Sequence, residues 1–139
     1  MVVARAQQFS THRALVVEDN EHVAYMLEFM LERAGYDVIL AANGRDAQAA
    51  IENVDPVDVV LLDLMLPYIS GYQLITDIRD DHDWQYVPIV VLSGKVLEED
   101  IVKALDLGAN DYVTKPFRPE ELLARLRRVV ADNERLAQG

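Results

Sequence analysis

The chain has 139 residues with a formal net charge of −11 at pH 7 and a pI near 4.5. This length favours one domain with a single core, and the acidic balance argues against a surface for nucleic acid or an anionic membrane, because both attract basic proteins. The chain has no cysteine, which excludes disulfides and thiolate metal sites and is compatible with a reducing cytoplasm. Neither a signal peptide nor an apolar run of ~20 residues is present, so we expect a cytoplasmic protein.

Residues 1–12 are polar and aperiodic, and we expect a flexible N-terminal arm there. The domain itself is expected over residues 13–133. Residues 134–139 are expected to form a short tail or the start of a linker. Whether the chain acts alone or is part of a longer protein stays open at this point.

Within the domain, short apolar runs alternate with stretches of helical periodicity. The runs predict strands at 13–17, 37–41, 57–62, 89–92 and 111–114, and helices are predicted at about 21–34, 44–54, 71–79, 97–107 and 119–133. Five strand-then-helix units with short connections indicate an α/β fold with a doubly wound parallel sheet. The flavodoxin-like order 2-1-3-4-5 is taken over from known five-unit folds rather than derived from the residues, and it places strands one and three side by side.

Polar residues follow four of the five predicted strands, and the carboxyl ends of parallel strands share one edge. They are Glu18, Asp19, Asp63, Ser93 and Lys115. Carboxylates that converge on a small crevice repel one another unless a cation lies among them, and Mg²⁺ (or Mn²⁺) prefers such oxygen ligands. A lysine and a hydroxyl beside them could bind phosphoryl oxygens, which leaves Asp63 as a nucleophile that would form an acyl phosphate.

Each of these residues also has an ordinary structural interpretation. Taken singly, Glu18 and Asp19 would cap a helix, Asp63 and Ser93 would begin turns, and Lys115 would lie in a loop. Their joint occurrence at successive strand ends favours a site over these separate readings.

Four segments, at 16–20, 61–67, 91–94 and 112–117, resemble the receiver domain of two-component response regulators, the chemotaxis-receiver-like phosphoacceptor module. The resemblance extends from about residue 14 to residue 130. It implies that Asp63 accepts a phosphoryl group from a sensor histidine kinase or phosphotransfer protein. It also implies that Mg²⁺ is bound by Glu18, Asp19, Asp63 and the main-chain carbonyl of Met65. The phosphoryl oxygens would be bound by Ser93 and Lys115.

The resemblance further implies a switch built from Ser93 and Tyr112. Ser93 would move toward the phosphoryl group and let Tyr112 turn inward, which would repack the face of the fourth helix, fifth strand and fifth helix and so control an output partner or a fused output domain. It also implies a cis Lys115–Pro116 bond.

The segment 108–130 resembles receivers that precede winged-helix DNA-binding domains and pair through charges on that face. Asp111 and Arg125 match one such pair, but Asn110, Ile101 and Asp132 replace charged residues of the pattern. A phosphorylation-dependent symmetric dimer is therefore one alternative, and docking of another partner on apolar Ile101 is the other.

Two other functions compete with a phosphoacceptor regulator that catalyses only its own phosphotransfer and dephosphorylation. A phosphatase-like hydrolase with an aspartyl nucleophile would need a second carboxylate two residues after Asp63, where this chain has Met65. The second competing function is that of a degenerate receiver that serves only as a scaffold. Against it, every site position carries a residue that can perform the role expected there. We therefore expect a regulator rather than an enzyme with a released substrate.

Overall fold

The computed structural model describes residues 12–138. Five parallel strands form one sheet in the order β2-β1-β3-β4-β5. The strands are β1 His12–Val17, β2 Tyr36–Ala41, β3 Val59–Leu62, β4 Ile89–Ser93 and β5 Asp111–Thr114. The predicted strand order and the doubly wound α/β architecture are confirmed.

A helix follows each strand. The helices are α1 Glu21–Arg33, α2 Gly44–Asn53, α3 Gly71–Asp80, α4 Glu98–Leu107 and α5 Pro119–Gln138. Side-chain oxygens of Asn20, Asn43 and Ser70 accept hydrogen bonds from main-chain N–H groups in the first turns of α1, α2 and α3, which satisfies donors that a helix start leaves free. In contrast, α4 has no side-chain cap, and three acidic residues in its first turn face the positive end of the helix dipole instead.

The sheet separates two apolar layers. Alternate residues of β1 point to opposite sides: Leu15 and Val17 pack with α2, α3 and α4, whereas Ala14 and Val16 pack with α1 and α5. Because helices cover both faces, the central strands β3 and β4 are buried throughout, as their continuous apolar runs predict. Polar residues that could form a site therefore lie at the ends of the central strands and in the loops that follow them.

The last helix is longer than predicted. It was expected to end near residue 133, but it continues to Gln138, through most of the segment expected to be a tail. Residues 134–137 are good helix formers with no glycine or proline to stop them, and Asp132 forms an ion pair with Arg135 one turn later. At the other end, the predicted arm lies outside the described residues except for His12, which begins β1. No helix within residues 12–138 is both long enough and apolar enough to cross a membrane.

Candidate functional site

The parallel ladder extends one residue past the strands and places the predicted site residues next to one another. The Asp63 amide donates to Val17 O at 3.1 Å, and the Glu18 amide donates to Ala41 O at 3.0 Å. On the far side, the Lys115 amide donates to Ser93 O at 2.9 Å. These backbone bonds fix the starting points of the functional side chains at the carboxyl edge, independently of the side chains themselves.

Lys115 joins the two buried carboxylates of this edge. Its Nζ lies 2.7 Å from Glu18 Oε1 and 2.8 Å from Asp63 Oδ2, while Glu18 is 4% exposed and Asp63 is 7% exposed. Charges removed from water to this extent need opposite charges and hydrogen bonds. Glu18 Oε2 also accepts from the Asn20 amide at 3.1 Å, and Asp63 Oδ1 accepts from the Met65 amide at 3.0 Å.

Burial and pairing act in opposite directions on these groups. Burial raises the pKa of Glu18 above its ordinary value, although hydrogen bonds from Lys115 and the Asn20 amide favour its charged form. For Lys115, burial disfavours the charge, but the hydrogen bonds and attraction of Asp63 and Glu18 outweigh it and raise the lysine pKa. The ammonium is therefore firmly charged and holds the carboxylates together.

The acidic cluster has the donor chemistry of a hard-cation site. One carboxylate oxygen each from Glu18, Asp19 and Asp63 lies within 4.8 Å of the others. Oxygen donors at this separation fit Mg²⁺, and Asp19, which is exposed, is free of the Lys115 ammonium. These residues could hold the ion. The predicted contribution of the Met65 carbonyl stays a prediction.

The structure also brings Ser93 and Tyr112 together, through Lys95. Ser93 is fully buried, and its Oγ accepts from the Lys95 amide at 3.3 Å. The Tyr112 hydroxyl donates to Lys95 O at 2.9 Å, and burial raises the pKa of this half-buried phenol. Tyr112 thus already points inward in this structure. The coupled movement of Ser93 and Tyr112 stays a prediction.

One residue important for the site was not recognised from the sequence. Gly71 begins α3 directly beneath the site, and a Cβ on it would lie 2.4 Å from Asp63 O and 2.6 Å from Leu64 Cα. Its amide donates to Leu64 O at 3.0 Å. Only glycine lets the helix start approach the main chain of Asp63 so closely. The available signal was a poor helix former directly after the capping Ser70.

Comparison with known proteins agrees with this geometry. The family model for the response regulator receiver domain matches residues 14–127, which is most of the chain. The chain belongs to this receiver family.

Solved structures of other receivers are similar to this one over nearly their whole length. The receiver domain of the sensor histidine kinase PA1611 from Pseudomonas aeruginosa PAO1, with a magnesium ion coordinated in its active-site cleft, is 36% identical, with a TM-score of 0.79 over 86% of this chain and 98% of that one. The receiver domain of the Francisella response regulator 1452 is 30% identical, with a TM-score of 0.81 over 88% and 98%. The chemotaxis response regulator CheY4 of Vibrio cholerae is 31% identical, with a TM-score of 0.79 over 85% and 98%.

In this receiver, the charges considered above for pairing two copies form ion pairs within the chain. Arg125 Nη1 lies 3.1 Å from Asp111 Oδ2, and Arg125 Nη2 lies 3.1 Å from Glu121 Oε2. Asn110, which departs from the charged pattern, accepts through Oδ1 from the Ile89 amide at 2.8 Å and from Arg79 Nη2 at 2.9 Å. The departure at Asn110 therefore has a structural role inside the domain. The Lys115–Pro116 bond is cis, as predicted.

Proposed function

We propose that this receiver is a Mg²⁺-dependent phosphorylation switch in which Asp63 accepts a phosphoryl group and the face formed by α4, β5 and α5 transmits the change. The observation that carries the proposal is the buried Asp63 carboxylate, which contacts the Lys115 ammonium and has an oxygen within 4.8 Å of carboxylate oxygens of Glu18 and Asp19. A nucleophile in this setting is held in place and kept from bulk water while remaining at the rim of the sheet.

The transfer begins with a phosphohistidine of a sensor histidine kinase or phosphotransfer protein. An Asp63 carboxylate oxygen attacks the phosphorus, an O–P bond forms, and the N–P bond breaks with its electron pair left on the imidazole. Hydrolysis later reverses the modification: a water oxygen bonds to phosphorus, the Asp63 O–P bond breaks, and inorganic phosphate leaves. The protein accelerates both steps by positioning the reacting groups and by opposing the negative charge on the phosphoryl oxygens.

The residues around Asp63 have separate roles in this proposal. Lys115, now 2.8 Å from Asp63 Oδ2, would exchange that contact for a phosphoryl oxygen. Ser93 would donate its hydroxyl to another phosphoryl oxygen. Glu18, Asp19, Asp63 and the Met65 carbonyl would hold Mg²⁺, which supplies positive charge against the phosphoryl oxygens when it is bound.

Tyr112 provides a route from the site to the surface. Its hydroxyl is bonded to the carbonyl of Lys95, whose amide is bonded to Ser93. A shift of Ser93 toward a phosphoryl oxygen would therefore move the segment that Tyr112 contacts, and the α4–β5–α5 face with it. We propose that this face controls a downstream protein or a fused output domain in the cytoplasm. The domain itself would contact neither nucleic acid nor membrane, and a phosphorylation-dependent dimer is one form that the output could take.

The first experiment uses Mg²⁺ and beryllofluoride, which mimics an aspartyl phosphate, with amide NMR as the readout. Wild type should show shifts at Ser93, at Tyr112 and in α5, whereas Asp63→Ala should show none of them. Asp37→Ala, which removes an exposed carboxylate in β2, is the matched control and should respond like wild type. If wild type does not respond, the domain is a scaffold and not a switch.

A further inference from the structure

The loop between β3 and α3 contains a turn that tyrosine rarely adopts. Tyr68 has φ of 72°, and the Ile69 amide donates back to Pro67 O at 2.9 Å across it. A hydrogen bond that spans a single residue with positive φ defines a γ-turn of the uncommon, strained kind. A bulky side chain in this region of φ indicates that the surroundings hold the backbone there.

The first turn of α2 supplies that support. The Gly44 amide donates to Pro67 O at 3.3 Å, and a Cβ on Gly44 would lie 2.5 Å from both Cβ and O of Ile69. The glycine thus lets α2 touch the turn directly. On the outer side, the Arg45 guanidinium carbon lies 4.2 Å from the centroid of the Tyr68 ring, a cation–π contact. The turn is held from its backbone and from its exposed ring.

The same loop sets the orientation of the Asp63 carboxylate. Three residues before Tyr68, the Met65 amide donates to Asp63 Oδ1 at 3.0 Å. Between these points, Leu66 packs against the core, and Ile69 does so beyond the turn. The loop is short and anchored at both sides, so the turn at Tyr68 and the Met65 amide belong to one continuous, packed segment.

We infer that Arg45 and Tyr68 are positioning residues for phosphoryl transfer: their contact maintains the strained turn, and the turn keeps the Met65 amide on the Asp63 carboxylate. This inference rests on the proposed function. Neither side chain touches the reacting atoms, and Tyr68 is 69% exposed, so the pair acts through the loop. A loose loop would let the carboxylate rotate away from the geometry needed for attack, and small misplacements of a nucleophile are costly.

The test measures the rate at which acetyl phosphate phosphorylates the protein at saturating Mg²⁺. In this reaction an Asp63 oxygen bonds to phosphorus and acetate leaves with the electron pair of the broken O–P bond. Arg45→Ala and Tyr68→Ala should each slow it about fivefold, and the double variant should be no slower than either single variant, because both remove one shared contact. Arg45→Lys should stay within about twofold of wild type, since an ammonium also binds an aromatic face.

Amide NMR provides a signature that lost stability alone would not produce. In Arg45→Ala and Tyr68→Ala the Met65 amide resonance should shift or broaden, while the melting temperature changes little. Arg33→Ala is the matched control, because it removes another cation–π contact, Arg33 over Phe29 at 5.5 Å, on α1 and away from this loop; it should leave the rate unchanged.

Two outcomes overturn the inference, and they are distinguishable from each other. If wild type reacts but both alanine variants react at the wild-type rate with an unmoved Met65 amide, or lose rate only in proportion to lost folded protein, the positioning role is wrong. If wild type takes up neither phosphoryl group nor beryllofluoride, the proposed function fails, and the positioning role fails with it.

Discussion

Two partly buried cations lie at opposite ends of the sheet, and their partners differ in kind. At the carboxyl edge, Lys115 contacts two carboxylates, of Glu18 and Asp63. At the amino edge, Arg79 at the end of α3 makes five hydrogen bonds, all to uncharged oxygens. The acceptors are Gly108 O, Gln85 O, Val87 O and Asn110 Oδ1. Within residues 12–138, no carboxylate forms an ion pair with Arg79.

The pKa values of the two cations shift in opposite directions for this reason. Burial lowers the pKa of Arg79, with no opposing contribution from a negative charge. Burial also disfavours the charge on Lys115, but its two carboxylate partners outweigh burial and raise the pKa. Under the proposed function, the two carboxylates can exchange the ammonium for a metal ion, and the ammonium can exchange a carboxylate for a phosphoryl oxygen. Main-chain carbonyls cannot leave, so the arginine end is a permanent brace and the lysine end is adaptable.

The two ends of α4 are held to different extents. Arg79 binds Gly108 O, directly after the last turn of α4, through both Nε at 3.1 Å and Nη2 at 2.8 Å. The first turn of α4 is held more loosely: the Tyr72 hydroxyl donates to Asp100 O at 3.3 Å, and Leu97 before it is 60% exposed. In the proposed switch, a signal from Ser93 would therefore enter α4 at its looser end, while the contacts of Arg79 hold the far end.

The largest expected effect comes from removing the brace. Arg79→Met keeps an unbranched apolar stem but leaves three main-chain carbonyls and Asn110 Oδ1 without their guanidinium donors, and it should lower the free energy of unfolding by about 3 kcal/mol. Urea unfolding at pH 7 measures this. Arg127→Met, at an exposed position on α5, is the control and should stay within about 0.5 kcal/mol. A loss below about 1 kcal/mol in Arg79→Met would mean that water replaces the guanidinium.

The sequence predicted the adaptable end far better than the brace. Glu18, Asp63 and Lys115 follow apolar strands, and parallel topology alone brings the ends of such strands to one edge. Because side-chain type and position along the chain are both visible in the sequence, the candidate site could be assembled before any coordinates. The acceptors of Arg79, in contrast, are mostly main-chain carbonyls, which every residue has. Nothing in the amino-acid sequence marks Gln85, Val87 or Gly108 as partners of Arg79.

Other features escaped prediction for related reasons. The close backbone approach at Gly71 and the strained turn at Tyr68 depend on how neighbouring segments pack against each other, which periodicity does not encode. The end of α5 was placed too early because the apolar stripe stops at Val130, whereas helix formers continue the backbone beyond it. Asn110 was noticed as a departure from a charged pattern, but its inward role required the coordinates.

An effect of intermediate size should follow from removing the Lys115 ammonium. The Lys115 ammonium contacts Glu18 Oε1 and Asp63 Oδ2, so we expect it to compete with a divalent ion for these two carboxylates. Lys115→Met should therefore bind Mg²⁺ about tenfold more tightly than wild type, which corresponds to about 1.4 kcal/mol. An Mg²⁺ titration followed by amide NMR measures the dissociation constant without requiring phosphorylation.

Lys103→Met is the control for that titration, because it removes an exposed charge that lies over the Tyr72 ring and not over the carboxylates. Its affinity should change by less than about twofold, since exposed charges are screened by salt. Weaker Mg²⁺ binding in Lys115→Met than in wild type would show that the lysine arranges the carboxylates for the ion rather than competing with it.

The smallest effect is expected from giving Arg79 a negatively charged partner. In Asn110→Asp a carboxylate would accept from Arg79 and from the Ile89 amide in place of the amide oxygen that does so now. Hydrogen bonds between charged groups are stronger than those to an amide, so the variant should gain about 0.5 kcal/mol at pH 7 despite the net negative charge of the chain, which salt screens at longer range.

The pH dependence of that gain identifies its source. An aspartate stabilised by Arg79 has a folded-state pKa below its unfolded value of about 3.9, so the gain should be present above about pH 4 and vanish as the pH falls through the folded-state pKa. Urea unfolding of Asn110→Asp and wild type across this range measures the difference. Asn53→Asp makes the same chemical change at the end of α2, where a helix dipole disfavours an acid, and should be slightly destabilising. A gain in Asn110→Asp that persists in acid would come from packing, because a protonated carboxyl group no longer pairs with the guanidinium.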